Sequence, residues 1–179
     1  GLIGLVGGIA VGLVLFALGA KPDLAYLREM IWIFPATAIA TGSKTMNGML
    51  GLCARSDEER KSATRLVPFA QRAHEKGLSV GLLTNDRLTG ATPGGFYAHV
   101  RSRGEAKEIA GQAAASGYEI LIGHGASADA FKEIDMAARG YVVAKTPAEF
   151  KAAPKDAKVF GPISFGETEE ALGAGVRED

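Results

Sequence analysis

The sequence predicts an α/β fold: a doubly wound, mainly parallel sheet with helices on both faces. Two observations predict it. From residue 78 to residue 163, short apolar runs of strand character alternate with segments of helical period, the pattern of β-α-β units. Those helical segments are also punctuated by capping residues before them and glycines after them, as crossover connections require. A length of 179 residues fits one domain with a real core.

Residues 1 to 20 read GLIGLVGGIAVGLVLFALGA, without a charged or polar side chain. About 20 apolar residues suffice to cross a bilayer. Gly4, Gly8 and Gly12 recur at the small-residue spacing that lets membrane helices approach. Residues 1–22 are therefore expected to be a membrane-spanning or export segment. The alternatives are the core of a signal peptide or a glycine-rich buried strand and helix. In residues 23–34, Leu24, Leu27, Ile31 and Phe34 share one helical face. Pro35 interrupts the pattern, and a second helix is expected over 36–41, ending at Gly42.

Residues 56–77 read as one long helix, opened by a Ser56–Glu59 capping box, bent at Pro68 and stopped by Gly77. Residues 78–84 (LSVGLLT) read as a strand buried on both faces. Helices over 104–116 and 129–139 stop at Gly117 and Gly140, with strands expected at 118–123 and 141–144. Thr146-Pro147-Ala148-Glu149 forms a second capping box, and 157–163 reads as the last strand. The α/β domain is expected to run from 23 to 165, followed by a loose acidic tail over 166–179.

Lys and Arg balance Asp and Glu at 20 each, so no overall field favours a nucleic-acid partner. Cys53 is the only cysteine, which excludes an internal disulfide and a multi-cysteine zinc site. Three histidines, His74, His99 and His124, leave little for a histidine-rich metal centre.

The segment TGATPGGFYAHVRSR, residues 89–103, carries the chemistry. Thr92-Pro93 reads as a helix start, with Thr capping and Pro at the first position. Gly94 and Gly95 in the first turn would let backbone N–H groups approach an anion. His99 and Arg103, four apart, would share a face of that helix, and Arg103 has the shape to hold phosphate through two parallel bonds. Two further motifs fail. ATGSKT (40–45) ends like a phosphate-binding P-loop, but Ser43 precedes Lys44 and Thr37 stands where an earlier glycine belongs. GHGASA (123–128) fits a dinucleotide turn, but Lys145 stands where the ribose-binding acid is needed. A tight glycine turn accounts for it better.

ATAIATGSKTMNG (36–48) and ATPGGFYAHVRSR (91–103) together resemble the alkaline phosphatase family, which carries ATALATGxKTxNG and, later, DATP or HATP followed by AHVxSR. The likeness covers roughly residues 36 to 163. Sulfatases and phosphoglycerate mutases share that fold but not these strings. The resemblance implies a partial alkaline-phosphatase-like core and phosphomonoester hydrolysis with magnesium and zinc. It also implies phosphate or a phosphomonoester as partner and an extracytoplasmic setting (periplasmic or secreted), to which the apolar run within 1–22 separately adds an expected membrane contact. It assigns the phosphate grip to Arg103, with Gly94 and Gly95 beside the substrate, and a magnesium ligand to Thr92.

The same resemblance marks what is missing. The acid or histidine two residues before that threonine is Gly90, which weakens the magnesium site. The serine nucleophile falls at Trp32 and the aspartate before it at Ile31. The Asp-Gly metal ligand of the family's first strand falls at Leu5, and the later zinc ligands fall beyond residue 179. The chain alone is expected to be inactive. The alternatives are a non-enzymatic membrane-tethered remnant and a nucleotide-binding module built on GHGASA.

Overall fold

The structure is a computed structural model that describes residues 35–163. The apolar run 1–22, the helix expected over 23–34, the positions Leu5, Ile31 and Trp32, and the tail 166–179 lie outside the described residues. Among the described residues no helix is long and apolar enough to cross a membrane.

Four strands form one parallel sheet: β3 (Gly81–Leu83), β4 (Ile120–His124), β5 (Tyr141–Val143) and β6 (Lys158–Ile163), in the order β3-β4-β6-β5. Two short strands, β1 (Leu52–Cys53) and β2 (Thr64–Arg65), make a separate antiparallel ladder. Among the described residues six α-helices accompany the strands: α1 (Pro35–Thr41), α2 (Phe69–Glu75), α3 (Ala91–Gly94), α4 (Ala106–Ala115), α5 (Ala128–Phe131) and α6 (Pro147–Ala152). The register is continuous across the sheet centre, where Leu121 stands between Leu82 and Phe160.

The core is built where helix period meets sheet face. In α4, Ile109, Ala110, Ala113 and Ala114 form the buried stripe, and they cluster with Leu121, Phe131, Tyr118 and Phe160. Small residues on that stripe let the helix lie close to the sheet. Two tyrosines bring hydroxyls into this core and satisfy them: Tyr118 Oη donates to Phe96 O (2.9 Å) and Tyr141 Oη to Tyr118 O (2.9 Å). Burial pushes the Tyr118 hydroxyl up to about 12, so both stay donors.

Most expected elements are present: α1, α4, α6 and the strands over β4, β5 and β6. Thr146 Oγ1 accepts from Glu149 N (3.2 Å), and the Glu149 carboxylate reaches back to Lys145 N (2.6 Å). Three expectations are corrected. The long helix over 56–77 does not form. Ser56 Oγ does accept from Glu59 N (3.3 Å), but only a 3-10 turn over Glu59–Ser62 follows. Pro68 forces Val67 out of the helical region, Leu66 N donates to Gly51 O (2.8 Å), and β2 pairs with β1 instead.

The strand at 78–84 is not buried on both faces. It is an edge, with Leu78 60% and Leu83 73% exposed. The helix over 129–139 shortens to α5, because the Asp135 side chain accepts from Ala138 N (2.9 Å) and closes a local turn in competition with the helix.

Candidate functional site

Ligands of open parallel sheets gather at the carboxyl ends of the strands, and there the loop after β3 crosses to the end of β4. His124 N donates to Asp86 O (2.9 Å), and Leu88 N donates to the buried Ser127 hydroxyl (2.9 Å). Tyr97 Oη donates to Leu88 O, so the loop is tied down from both sides. Asp86 Oδ1 accepts from Arg87 N (2.7 Å). Its other oxygen lies where a side chain at position 90 would begin, 2.1 Å from the place of a Cβ on Gly90. The same loop settles GHGASA. Leu88 fills the space over Gly123, with Cγ 2.7 Å from the place of a Cβ, and His124 Nδ1 accepts from Ala126 N (3.1 Å). The space over the first glycine of the turn is thus filled by protein.

Helix α3 follows, and it corrects the expected start. Gly90 precedes the helix, Ala91 begins it, and Thr92 and Pro93 lie inside its first turn. Thr92 is exposed. The glycines act differently from the anion cradle expected of them. Gly94 N donates to Gly90 O (2.9 Å) and Gly95 N to Ala91 O (3.0 Å), so neither amide is left for a ligand. A Cβ on Gly95 would lie 3.0 Å from the Ala36 carbonyl, and one on Gly94 would lie 3.0 Å from Leu50 Cδ1. Gly94 and Gly95 are small so that α3 can touch α1 and Leu50. This contact also involves Thr37 of α1, whose buried hydroxyl donates to Met49 O (3.4 Å) and accepts from Gly51 N (3.3 Å).

His99 and Arg103 do not share a helix face, because α3 ends before Gly95 and the chain extends. Leu50 and Val100 exchange backbone bonds of 3.0 Å each, and Arg103 N donates to Gly48 O (2.6 Å). Arg103 is exposed, and its guanidinium bonds to no described residue. No hydrogen bond joins it to residues 85–95. Arg101 differs: its guanidinium donates to Lys61 O (2.7 Å).

His99 is the residue that sequence reasoning undervalued. Its Nε2 meets Leu66 O at 2.7 Å, so that nitrogen carries the proton, and the His99 backbone N–H donates to Gln112 Oε1 (2.8 Å). Nδ1 is buried without a partner. Burial first, and the nearby Arg65 charge as well, hold the imidazole below its ordinary 6.5, against the hydrogen bonds that favour the cation. A group whose folded value is depressed lets the unfolded chain take the proton first. Stability is therefore full above about pH 6.5 and falls as the pH drops toward the folded value. Thermal melts from pH 7.5 down to 5.5 are expected to show a declining midpoint, and His99→Gln should flatten that decline. An equal slope in both proteins would remove His99 as its cause.

The sequence model of the family described as alkaline phosphatase matches residues 34–128, more than half of the 179 residues. This chain belongs to the alkaline phosphatase family. It is similar to alkaline phosphatase 4 of Drosophila melanogaster, 37% identical over 68 residues that cover 38% of this chain and 11% of that protein. It is also similar to alkaline phosphatase 4 of Bacillus subtilis, 28% identical over 148 residues, covering 76% of this chain and 30% of that one. Among solved structures, the cold-active alkaline phosphatase of a Shewanella species superposes with TM-score 0.59 at 27% identity, over 72% of this chain and 31% of that one. The Thermus thermophilus alkaline phosphatase gives 0.58 at 28%, over 74% and 29%. The chain thus spans no more than about a third of these alkaline phosphatases.

The metals of an alkaline phosphatase do not fit the described residues. No three His, Cys, Asp or Glu side chains among them converge as a metal site. Thr92 offers one exposed hydroxyl, and the one carboxylate placed at Gly90 comes from Asp86, half engaged by Arg87 N. Magnesium needs a near-octahedral oxygen set, and zinc needs four ligands, or three and an open position, drawn from Cys, His, Asp and Glu.

Proposed function

We propose that this chain is a partial alkaline-phosphatase-type phosphomonoester hydrolase domain that keeps phosphate recognition through Arg103 and lacks the serine nucleophile and most metal ligands. One observation carries the reading. The two segments that bear the family strings lie side by side along their length: Gly95 against Ala36, Leu50 paired with Val100, and Arg103 N bonded to Gly48 O. That pairing fixes the main chain of Arg103 while leaving its guanidinium unengaged. A planar fork so placed can take two phosphate oxygens at once. Thr92 stands at the other end of the same segment, as the remnant of a magnesium corner whose next ligand position is Gly90. Binding without turnover is what such a set of residues supports.

Orthophosphate or vanadate titrated onto the full chain tests this. Arg103→Ala should lower affinity more than tenfold, since each charge-assisted hydrogen bond contributes about 1.5–3 kcal/mol. Arg101→Ala should change little, because its guanidinium is already committed to Lys61 O. Equal effects from the two substitutions would show that only general positive charge is being sensed.

A further inference from the structure

The loop that failed as a P-loop lines a pocket of its own, whose lining includes no residue of the loop 85–95. Residues 43–47 form one wall and Cys53, Ala54 and Arg55 the other, around about 650 Å³. Three features of this pocket agree. Its two charged lining residues, Lys44 and Arg55, are both cations. Both are exposed, and neither side chain is held in an ion pair or hydrogen bond with a described residue. Thr45, between them in the wall, has a hydroxyl oxygen that is buried without any partner among the described residues. A buried hydroxyl left unpaired is costly and is rarely tolerated without a role.

The loop is also held open by its neighbours. Arg60 Nη2 donates to Asn47 O (2.9 Å) and Cys53 Sγ lies 3.7 Å from Lys44 O. Glu59 turns its carboxylate to Arg55 N (2.9 Å) rather than to either cationic side chain. Two unpaired cations and an unsatisfied hydroxyl in one lining suit a ligand that is dianionic and rich in acceptor oxygens. A carboxylate supplies one charge; a phosphate group supplies close to two and three acceptors. The pocket is larger than a bare phosphate requires, so an organic substituent can be accommodated.

We propose that Lys44, Thr45 and Arg55 form a second phosphate-binding site, for orthophosphate or a small phosphomonoester, independent of Arg103. Lys44 acts as a mobile point charge, Arg55 as a fork, and Thr45 as the short-range donor that fixes the oxyanion in the wall.

Equilibrium binding of radiolabelled orthophosphate to the full chain decides it. In Arg103→Ala, binding should persist. In Arg103→Ala combined with Lys44→Gln and Arg55→Gln it should fall about a hundredfold, taking roughly tenfold for each lost charged contact. Thr45→Val, nearly isosteric, should weaken the persistent site about tenfold while leaving the melting temperature unchanged or higher. If Arg103→Ala alone abolishes all phosphate binding, or if the residual binding ignores Lys44 and Arg55, the second site does not exist. If Arg103→Ala changes nothing while the Lys44 and Arg55 pair removes everything, this pocket stands and the Arg103 assignment falls.

Discussion

Purified chain supplied with zinc and magnesium is expected to leave a generic aryl phosphate unhydrolysed at alkaline pH. Covalent catalysis needs an oxygen nucleophile within reach of phosphorus and a group to activate it. Counting back from Gly42, which follows α1, places the family's serine at Trp32 and its preceding aspartate at Ile31. Indole and a branched alkane offer neither an attacking oxygen nor a ligand. Removing a serine nucleophile alone costs a factor on the order of 10⁶ in turnover, or about 8 kcal/mol of transition-state stabilisation. A phosphate grip of the kind proposed for Arg103 would not offset this, because binding substrate and transition state alike leaves the chemical step unchanged. The described residues add no compensating metal cluster. Turnover by the pure protein that a chelator abolishes would overturn the assignment, as would a phosphoenzyme trapped at low pH.

What the sequence shows and hides follows from the range of the interactions. Helix α4 is readable because its apolar stripe and the glycine after it are local signals, and Gly117 does take a positive φ of 74°. Strands β4 to β6 are readable for the same reason. The segment 56–77 misleads because its capping box is genuine but spans one turn, while the ladder of β2 with β1 joins residues more than ten positions apart in sequence. Strand β3 misleads because apolar composition does not say which strand is an edge. In the candidate site, Arg103 is proposed from its residue type and its place in the family string, and Thr92 from that string alone, but the reason for Gly94 and Gly95 lies in contacts with Leu50 and Ala36, more than 40 positions earlier. His99 is masked in the same way: its Leu66 partner is 33 residues away. Asp86 beside Gly90 is a loop contact four residues long, legible only once the turn is known.

Gly51→Ala is expected to destabilise the described domain by about 3–5 kcal/mol, from two separable causes. Gly51 has φ +60°, where a Cβ costs about 1–2 kcal/mol. The larger cause is steric: that Cβ would stand 2.1 Å from Ala98 O and 3.0 Å from His99 Cδ2. Neither neighbour can yield cheaply. Ala98 is wholly buried, and the next residues are held by the Leu50–Val100 pair and by the bond from His99 to Leu66 O. Relief requires opening that pair, so the strand leading to Arg103 would loosen as well. Two other glycines separate the causes. Gly42 has φ +74° and nothing within 4 Å, so Gly42→Ala carries the backbone cost alone, about 1–2 kcal/mol. Gly111 sits inside α4 with open space and ordinary φ, so Gly111→Ala should stabilise by about 0.5–1 kcal/mol. For a domain of this size 1 kcal/mol moves the melting temperature by roughly 2–4 °C. The midpoint should therefore fall by about 6–20 °C in Gly51→Ala, by a few degrees in Gly42→Ala, and rise slightly in Gly111→Ala. Phosphate affinity at Arg103 should weaken only in the first, measured well below its melting temperature. Should Gly51→Ala melt no lower than Gly42→Ala, the close approach of the two family segments is not what holds this site.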